Sequence, residues 1–140
     1  MNDNGSISAS SVPRSLRWED EEGGELYILD QTKLPGEVVE ERQDSAEQVW
    51  ESIRQLKVRG APAIGIAGAY GLAIGLKPLV DLDLREFLTQ AERIAAYLNS
   101  SRPTAVNLSW AVNFSVSFSV TSRRARCATY STSRELIFKT

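Results

Sequence analysis

The sequence predicts an α+β chain, a short β-hairpin subdomain followed by a small helical bundle. Three patterns in its 140 residues carry that expectation. Leu16-Arg17-Trp18 and Leu26-Tyr27-Ile28-Leu29 are apolar runs separated by acidic residues and by Gly23-Gly24, a turn signal that admits positive φ at both positions. Asp44 to Lys57 and Asp83 to Asn99 repeat apolar residues at intervals of three and four, the spacing of amphipathic helices. Between them, Gly60 to Leu76 carries no charge at all, which suits a central helix covered by the other two.

Met1 to Ser15 is rich in Ser and Asn without periodicity, and a disordered lead-in is expected there. The hairpin follows, then Asp30-Gln31-Thr32-Lys33-Leu34-Pro35-Gly36, a polar loop closed by a Pro-Gly turn. Loops of this kind often hold binding residues, but Asp30 fits a plain local turn as well. Val38 and Val39 are expected to continue as a third strand.

Asp44 is the expected N-cap of the first helix, with Glu47 at the capping-box position and Ala46, Val49, Trp50, Ile53 and Leu56 forming one apolar stripe. Pro62 then suits the opening of a second helix, because its φ is fixed near the helical value and it has no N–H to satisfy. Asp83 with Glu86 opens a third, which carries Leu84, Phe87, Leu88, Ala91, Ile94, Ala95 and Leu98 on one face. Pro103 is expected to open a fourth, through Ala105, Val106, Leu108, Trp110 and Val112.

Chemistry enters at Arg59-Gly60-Ala61-Pro62. Gly60 lets the backbone turn sharply beside the free N–H groups of a helix start, where the dipole favours an anion, and Arg59 adds a planar charged fork suited to phosphate or carboxylate. Ser101-Arg102-Pro103-Thr104 repeats the device, so two arginines could converge on one anion. The alternative is structural. Gly65, Gly68, Gly71 and Gly75 lie on one side of the helix and invite close packing, with Arg59 in an ordinary salt bridge and the second arginine a coincidence. The glycines match neither a dinucleotide fingerprint nor a Walker loop.

Composition removes several chemistries. There is no His, and Cys127 is the single cysteine, so a His-based triad, a His zinc site and an internal disulfide are excluded within these residues. No metal and no cofactor are expected. The longest uncharged run falls short of the roughly 20 apolar residues of a spanning helix, and Met1 to Ser15 lacks the pattern of a signal peptide, so a cytoplasmic protein without a membrane partner is expected.

Ile28-Leu29-Asp30-Gln31-Thr32-Lys33-Leu34-Pro35, Val58-Arg59-Gly60-Ala61-Pro62-Ala63-Ile64-Gly65 and Ser101-Arg102-Pro103-Thr104-Ala105-Val106-Asn107-Leu108 together resemble the N-terminal part of the methylthioribose-1-phosphate isomerases of methionine salvage. The resemblance covers about residues 16–113. It implies an aldose-to-ketose isomerisation of 5-methylthioribose 1-phosphate to 5-methylthioribulose 1-phosphate, with a small sugar phosphate as partner and no metal or redox cofactor. By the same resemblance, Arg59, Gly60, Ala61 and Arg102 bind substrate, and full-length members form homodimers. The family's catalytic Cys and Asp belong to a later α/β domain of Rossmann-like topology that residues 1–140 do not contain. Cys127 lies outside the glycine-containing setting of that nucleophile, so no catalytic residue is assigned. Two alternatives stand beside this reading: an enzyme like ribose-1,5-bisphosphate isomerase, and a non-catalytic regulatory subunit related to translation-initiation exchange factor subunits.

At Phe114 the text changes. Residues 1–113 hold 11 basic and 17 acidic side chains, a net −6, whereas residues 114–140 hold 5 and 1, a net +4. Phe114-Ser115-Val116-Ser117-Phe118-Ser119-Val120 alternates with period two and predicts an exposed, aggregation-prone strand followed by disorder. The expectation is three segments: a disordered 1–15, a family domain over 16–113 and a non-family tail over 114–140. That tail is read as out-of-frame text, and the chain as lacking isomerase activity. Its four arginines have no aromatic neighbours on a regular face, so no nucleic-acid partner is expected.

Overall fold

The computed structural model describes the backbone of residues 13–138 and, Glu22 apart, the side chains of residues 13–124. The expected lead-in falls almost wholly outside these residues. Three antiparallel strands, β1 (Leu16–Glu19), β2 (Glu25–Leu29) and β3 (Glu40–Gln43), form a meander in that order. They precede α1 (Ala46–Arg54), α2 (Ala61–Leu76), α3 (Leu84–Ser100) and α4 (Val106–Phe138). A hairpin leading into a helical bundle is therefore what forms.

β1 and β2 pair Leu16 with Ile28 and Trp18 with Leu26, across a turn in which Gly23 and Gly24 have φ of 94° and 92°. Leu26 and Ile28 are fully buried against the helices. Trp18 stacks on Tyr70 of α2 with ring centroids 4.6 Å apart, and Lys77 donates to the Gly24 carbonyl, which docks the hairpin on the bundle. The third strand is not at Val38 and Val39 but two residues later. Its residues are mostly charged because it is an edge strand whose side chains pair across the sheet: Arg42 reaches Glu25 at 2.9 Å and Glu40 reaches Arg17 at 3.1 Å.

The N-cap of α1 is Ser45 rather than Asp44. Its hydroxyl accepts from the Gln48 N–H at 3.2 Å, while the Gln48 side chain accepts the Asp44 N–H at 2.6 Å, a reciprocal arrangement one residue later than the sequence pattern places it. Asp83 does cap α3, accepting from Glu86 N–H at 2.9 Å. The stripes of α1 and α3 meet α2 through Val49, Ile53, Phe87, Ala91, Ala95 and Leu98, all buried.

Helix α2 is the centre of the bundle. The stretch Ala61–Leu79 is long and apolar enough to cross a membrane by length and composition, contrary to the expectation that the run is too short. In this fold α2 packs on α1, α3 and α4. A Cβ on Gly68 would lie 2.3 Å from Leu108 Cδ1, and one on Gly71 2.9 Å from Val49 Cγ1, so these glycines make room for neighbours.

The strand predicted from Phe114 is overturned, since one helix runs through Val106–Phe138. The reason is visible in the burial. A period-two run also reads as two rows at i, i+4 on opposite helix faces. Val112, Val116 and Val120 form the inner row, while Phe114 and Phe118 form the outer one, 58% and 64% exposed. The intervening serines turn back on the helix, Ser115 to the Ala111 carbonyl at 2.8 Å and Ser117 to the Asn113 carbonyl at 3.2 Å. Cys127 lies outside the residues whose side chains are described.

Candidate functional site

The residues leading into α2 are held from both sides. Two residues past α1, Leu56 takes the left-handed region, φ 63°, with the Lys57 N–H bonded to the Ser52 carbonyl at 3.0 Å. Val58 is fully buried and anchors the next step of the chain. From the other side the Gln31 N–H donates to the Lys57 carbonyl at 3.1 Å, so the loop after β2 clamps this segment.

Asp30 makes that loop rigid through the local turn foreseen as its plain role. It is 2% exposed and accepts from the Thr32 hydroxyl at 2.5 Å and the Thr32 N–H at 3.0 Å. The Thr32 hydroxyl is the main reason its carboxyl is held below the ordinary aspartate range. Burial opposes the shift, and the Thr32 N–H, Lys57 and Lys33 assist it.

Gly60 turns the chain at φ 91° and serves as N-cap without a side chain to satisfy the first turn. The first helical bond is Ile64 N–H to the Gly60 carbonyl at 3.0 Å. Pro62 has no N–H, so the amides of Ala61 and Ala63 remain available to a ligand, at the positive end of the helix.

Opposite this start lies the turn between α3 and α4. Ser101 is fully buried and donates to the Leu98 carbonyl at 2.6 Å, and the Ala105 N–H bonds to the Arg102 carbonyl at 3.0 Å. Pro103 therefore sits in a turn, and the helix it was expected to open begins three residues later at Val106. Gly60, Ala61 and Ile64 on one side, and Arg102, Thr104, Ala105, Val106 and Asn107 on the other, enclose a cavity of about 400 Å³.

Three of the four sequence-predicted residues thus meet: Gly60, Ala61 and Arg102. Arg59 does not line the cavity, and its exposed guanidinium donates from Nε to the Leu56 carbonyl at 3.3 Å. That bond is at the long end of the hydrogen-bond range and yields to a rotamer change. Among the described residues neither Arg59 nor Arg102 is in an ion pair, which counts against the salt-bridge reading of Arg59. Thr104 and Asn107, which add a hydroxyl and an amide to the wall, were missed as site residues. Both stand inside the Arg-Pro-Thr segment, so their place in that motif was the available signal.

The lining contains donors and apolar groups but no Asp or Glu, so an anion entering it meets no fixed negative charge. It also contains no group with a pKa suited to proton transfer near neutral pH. No group of three or more His, Cys, Asp and Glu among the described residues is placed to bind a metal.

A family model described as the Initiation factor 2 subunit family matches residues 57–137, across the change in composition at Phe114. A 5-deoxyribose 1-phosphate isomerase of Bacillus anthracis is 50% identical over 97 residues, which are 69% of this chain and 27% of that protein. A protein of the same name from Moorella thermoacetica is also 50% identical over 97 residues, with the same shares of each chain. A methylthioribose-1-phosphate isomerase of Bacillus cereus is 45% identical over 107 residues, 76% of this chain and 30% of that protein. The chain thus spans under a third of the length of these curated relatives.

Among solved structures, 5-methylthioribose 1-phosphate isomerase from Pyrococcus horikoshii OT3 aligns with TM-score 0.62 at 36% identity, covering 74% of this chain and 28% of that one. Translation initiation factor eIF-2B, subunit delta, from A. fulgidus aligns with TM-score 0.66 at 30% identity, covering 85% and 37%.

Proposed function

The chain belongs to the initiation factor 2 subunit family, and from that premise we propose that it holds the phosphate of a pentose 1-phosphate for an aldose-to-ketose isomerisation. The substrate is 5-methylthioribose 1-phosphate, the product 5-methylthioribulose 1-phosphate, and the setting methionine salvage in the cytoplasm, with homodimers in the full-length protein. The observation that carries this reading is the cavity that Gly60, Ala61 and Arg102 line together, free of carboxylates.

The chemistry explains why such a holder matters. In a sugar 1-phosphate the phosphate is bonded to C1, and the isomerisation exchanges oxidation state between C1 and C2. Fixing the phosphate with the Ala61 amide and the Arg102 guanidinium fixes both reacting carbons at the cavity mouth. Arg59, released from the Leu56 carbonyl, closes on the phosphate from outside. Moving a proton or hydride between those carbons requires an acid or base, and the lining offers none. Residues 1–140 by themselves therefore bind the substrate without turning it over.

A second substrate, 5-deoxyribose 1-phosphate, is favoured by the names of relatives at 50% identity. A regulatory, non-catalytic role is favoured by the likeness to the A. fulgidus subunit. Calorimetric titration of the chain with the two pentose 1-phosphates separates these readings. Binding of either, weakened about 10- to 150-fold by Arg102→Ala (roughly 1.5–3 kcal/mol) and less by Arg59→Ala, supports the isomerase reading. Absence of binding by both sugars at millimolar concentration removes it, and turnover by the purified chain removes the claim that it only binds.

A further inference from the structure

We propose that Lys57 is a positioning residue for the cavity at the start of α2, held by Glu41 of β3 so that Gly60 and Ala61 are in place before a ligand arrives. The inference rests on the proposed function, since it concerns the same cavity. All three polar groups of Lys57 are tied, each to a different part of the chain. Its N–H donates to the Ser52 carbonyl in α1 at 3.0 Å, and its carbonyl accepts from the Gln31 N–H after β2 at 3.1 Å. Its Nζ donates to Glu41 Oε2 at 2.8 Å.

The register of the sheet aims these ties. Glu41 stands opposite Ile28 and Gln43 opposite Leu26, both fully buried, so Glu41 and Gln43 face the helices while Arg42 between them faces the other way. Gln43 accepts from the Ser52 hydroxyl at 3.0 Å, and Ser52 in turn accepts the Lys57 N–H. Both inward polar residues of β3 therefore act on one stretch of chain, the exit of α1.

Lys57 is also the last residue held in this way before the cavity. Among the described residues no backbone hydrogen bond reaches Val58 or Arg59, and the next begins at the Gly60 carbonyl. Val58 is anchored by burial alone, Arg59 is exposed and Gly60 turns at φ 91°, so the direction in which the chain enters α2 is set at Lys57 and Val58. The Lys57–Glu41 bond suits that task. Its side chains, 19% and 34% exposed, are the least exposed of the ion pairs among the described residues, so the bond is charge-assisted and screened less than a surface pair.

Lys57 does not line the cavity, so it acts there only through Gly60 and Ala61. A chain that is already ordered spares the ligand the cost of ordering it. Releasing the backbone of one residue returns about 1 kcal/mol of that cost to the binding step, which is a loss of about fivefold in affinity.

Two measurements on the 140-residue chain test it: calorimetric titration with the two pentose 1-phosphates, and NMR relaxation at the Gly60 and Ala61 amides of the free chain. Lys57→Met keeps the stem and removes the charge, and is expected to weaken binding about fivefold and to lower the order of both amides. Lys57→Arg, whose fork reaches the same carboxylate, restores both. Arg42→Gln, which breaks two ion pairs of the neighbouring residue, changes neither. Circular dichroism verifies the fold, and if Lys57→Met disturbs it, Glu41→Gln decides. Unchanged order at Gly60 and Ala61 in Lys57→Met overturns the proposal, as does unchanged affinity where the wild type binds, or an equal effect of Arg42→Gln. A wild-type chain that binds neither sugar removes the proposed function instead, and the relaxation measurement then decides alone on Lys57.

Discussion

Gly68→Ala tests the packing on which the rest of the structure depends. In an exposed helix this change stabilises by about 1 kcal/mol, because Ala has the higher helix propensity. At Gly68 the added Cβ would stand 2.3 Å from Leu108 Cδ1 and 2.9 Å from Val112 Cγ2. Both neighbours are fully buried, so Leu108 can move only into other core atoms. Overpacking of this kind costs about 1–3 kcal/mol, which outweighs the propensity gain and leaves a net loss of roughly 1 kcal/mol. A double-mutant cycle isolates the clash. Leu108→Ala alone costs about 2–5 kcal/mol, and in that background Gly68→Ala costs less than it does alone, because the nearer of its two obstacles is gone and only Val112 remains. Urea unfolding followed by circular dichroism measures all four proteins, at one fixed concentration so that self-association contributes equally. If Gly68→Ala alone stabilises by about 1 kcal/mol, α4 does not lie on α2 as described.

Two further outcomes follow from the loop and the first helix. Ser45→Ala lowers stability by about 1 kcal/mol through loss of the cap on Gln48, whereas Asp44→Ala loses only the half-exposed pair with Arg42 and costs at most about 0.5 kcal/mol; equal effects in thermal unfolding would return the cap to Asp44. Asp30 has a folded pKa below its unfolded value, so its stabilisation is present above the ordinary aspartate range and is lost as pH falls through the depressed folded value. The gap in stability between wild type and Asp30→Asn therefore narrows on acidification through and below about pH 4, and a gap that stays constant or widens in urea titrations there would disprove the assignment.

What the sequence made legible was whatever depends on one stretch of chain. The hairpin turn, the stripe of α3, that of α1 except for Leu56, and the turn made by Asp30 are local, and each formed where its residues lie. What it concealed depended on partners remote in sequence. Glu40–Gln43 looks unlike a strand until Tyr27 and Ile28 stand opposite Arg42 and Glu41, when its charged residues become those of a paired edge. Val112, Val116 and Val120 read as half of a strand pattern because the α2 and α3 surfaces that bury them are distant in the chain. At the site, Gly60 and Arg102 were legible because each stands within two residues of a proline at an expected helix entrance, whereas Ala61 was named only through the family resemblance. Arg59, by contrast, bonds to the carbonyl of Leu56, a residue whose positive φ no sequence pattern announces.

The two readings of the glycine row, close packing or anion capture, were set against each other on the sequence, and the packing one has a consequence for the cavity. A Cβ on Gly65 would stand 3.0 Å from the Asn107 carbonyl oxygen, and this neighbour is backbone rather than a side chain that can swing away. The bare α-carbon of Gly65 is therefore what lets the start of α4 come down beside the start of α2. That approach carries Arg102, Thr104 and Asn107 into one cavity with Gly60 and Ala61. With a larger residue at Gly65 the α4 backbone would have to retreat, taking one whole wall of the cavity with it. Packing is thus the means by which an arginine about forty residues further along the chain comes to face a helix start that has no side-chain cap of its own.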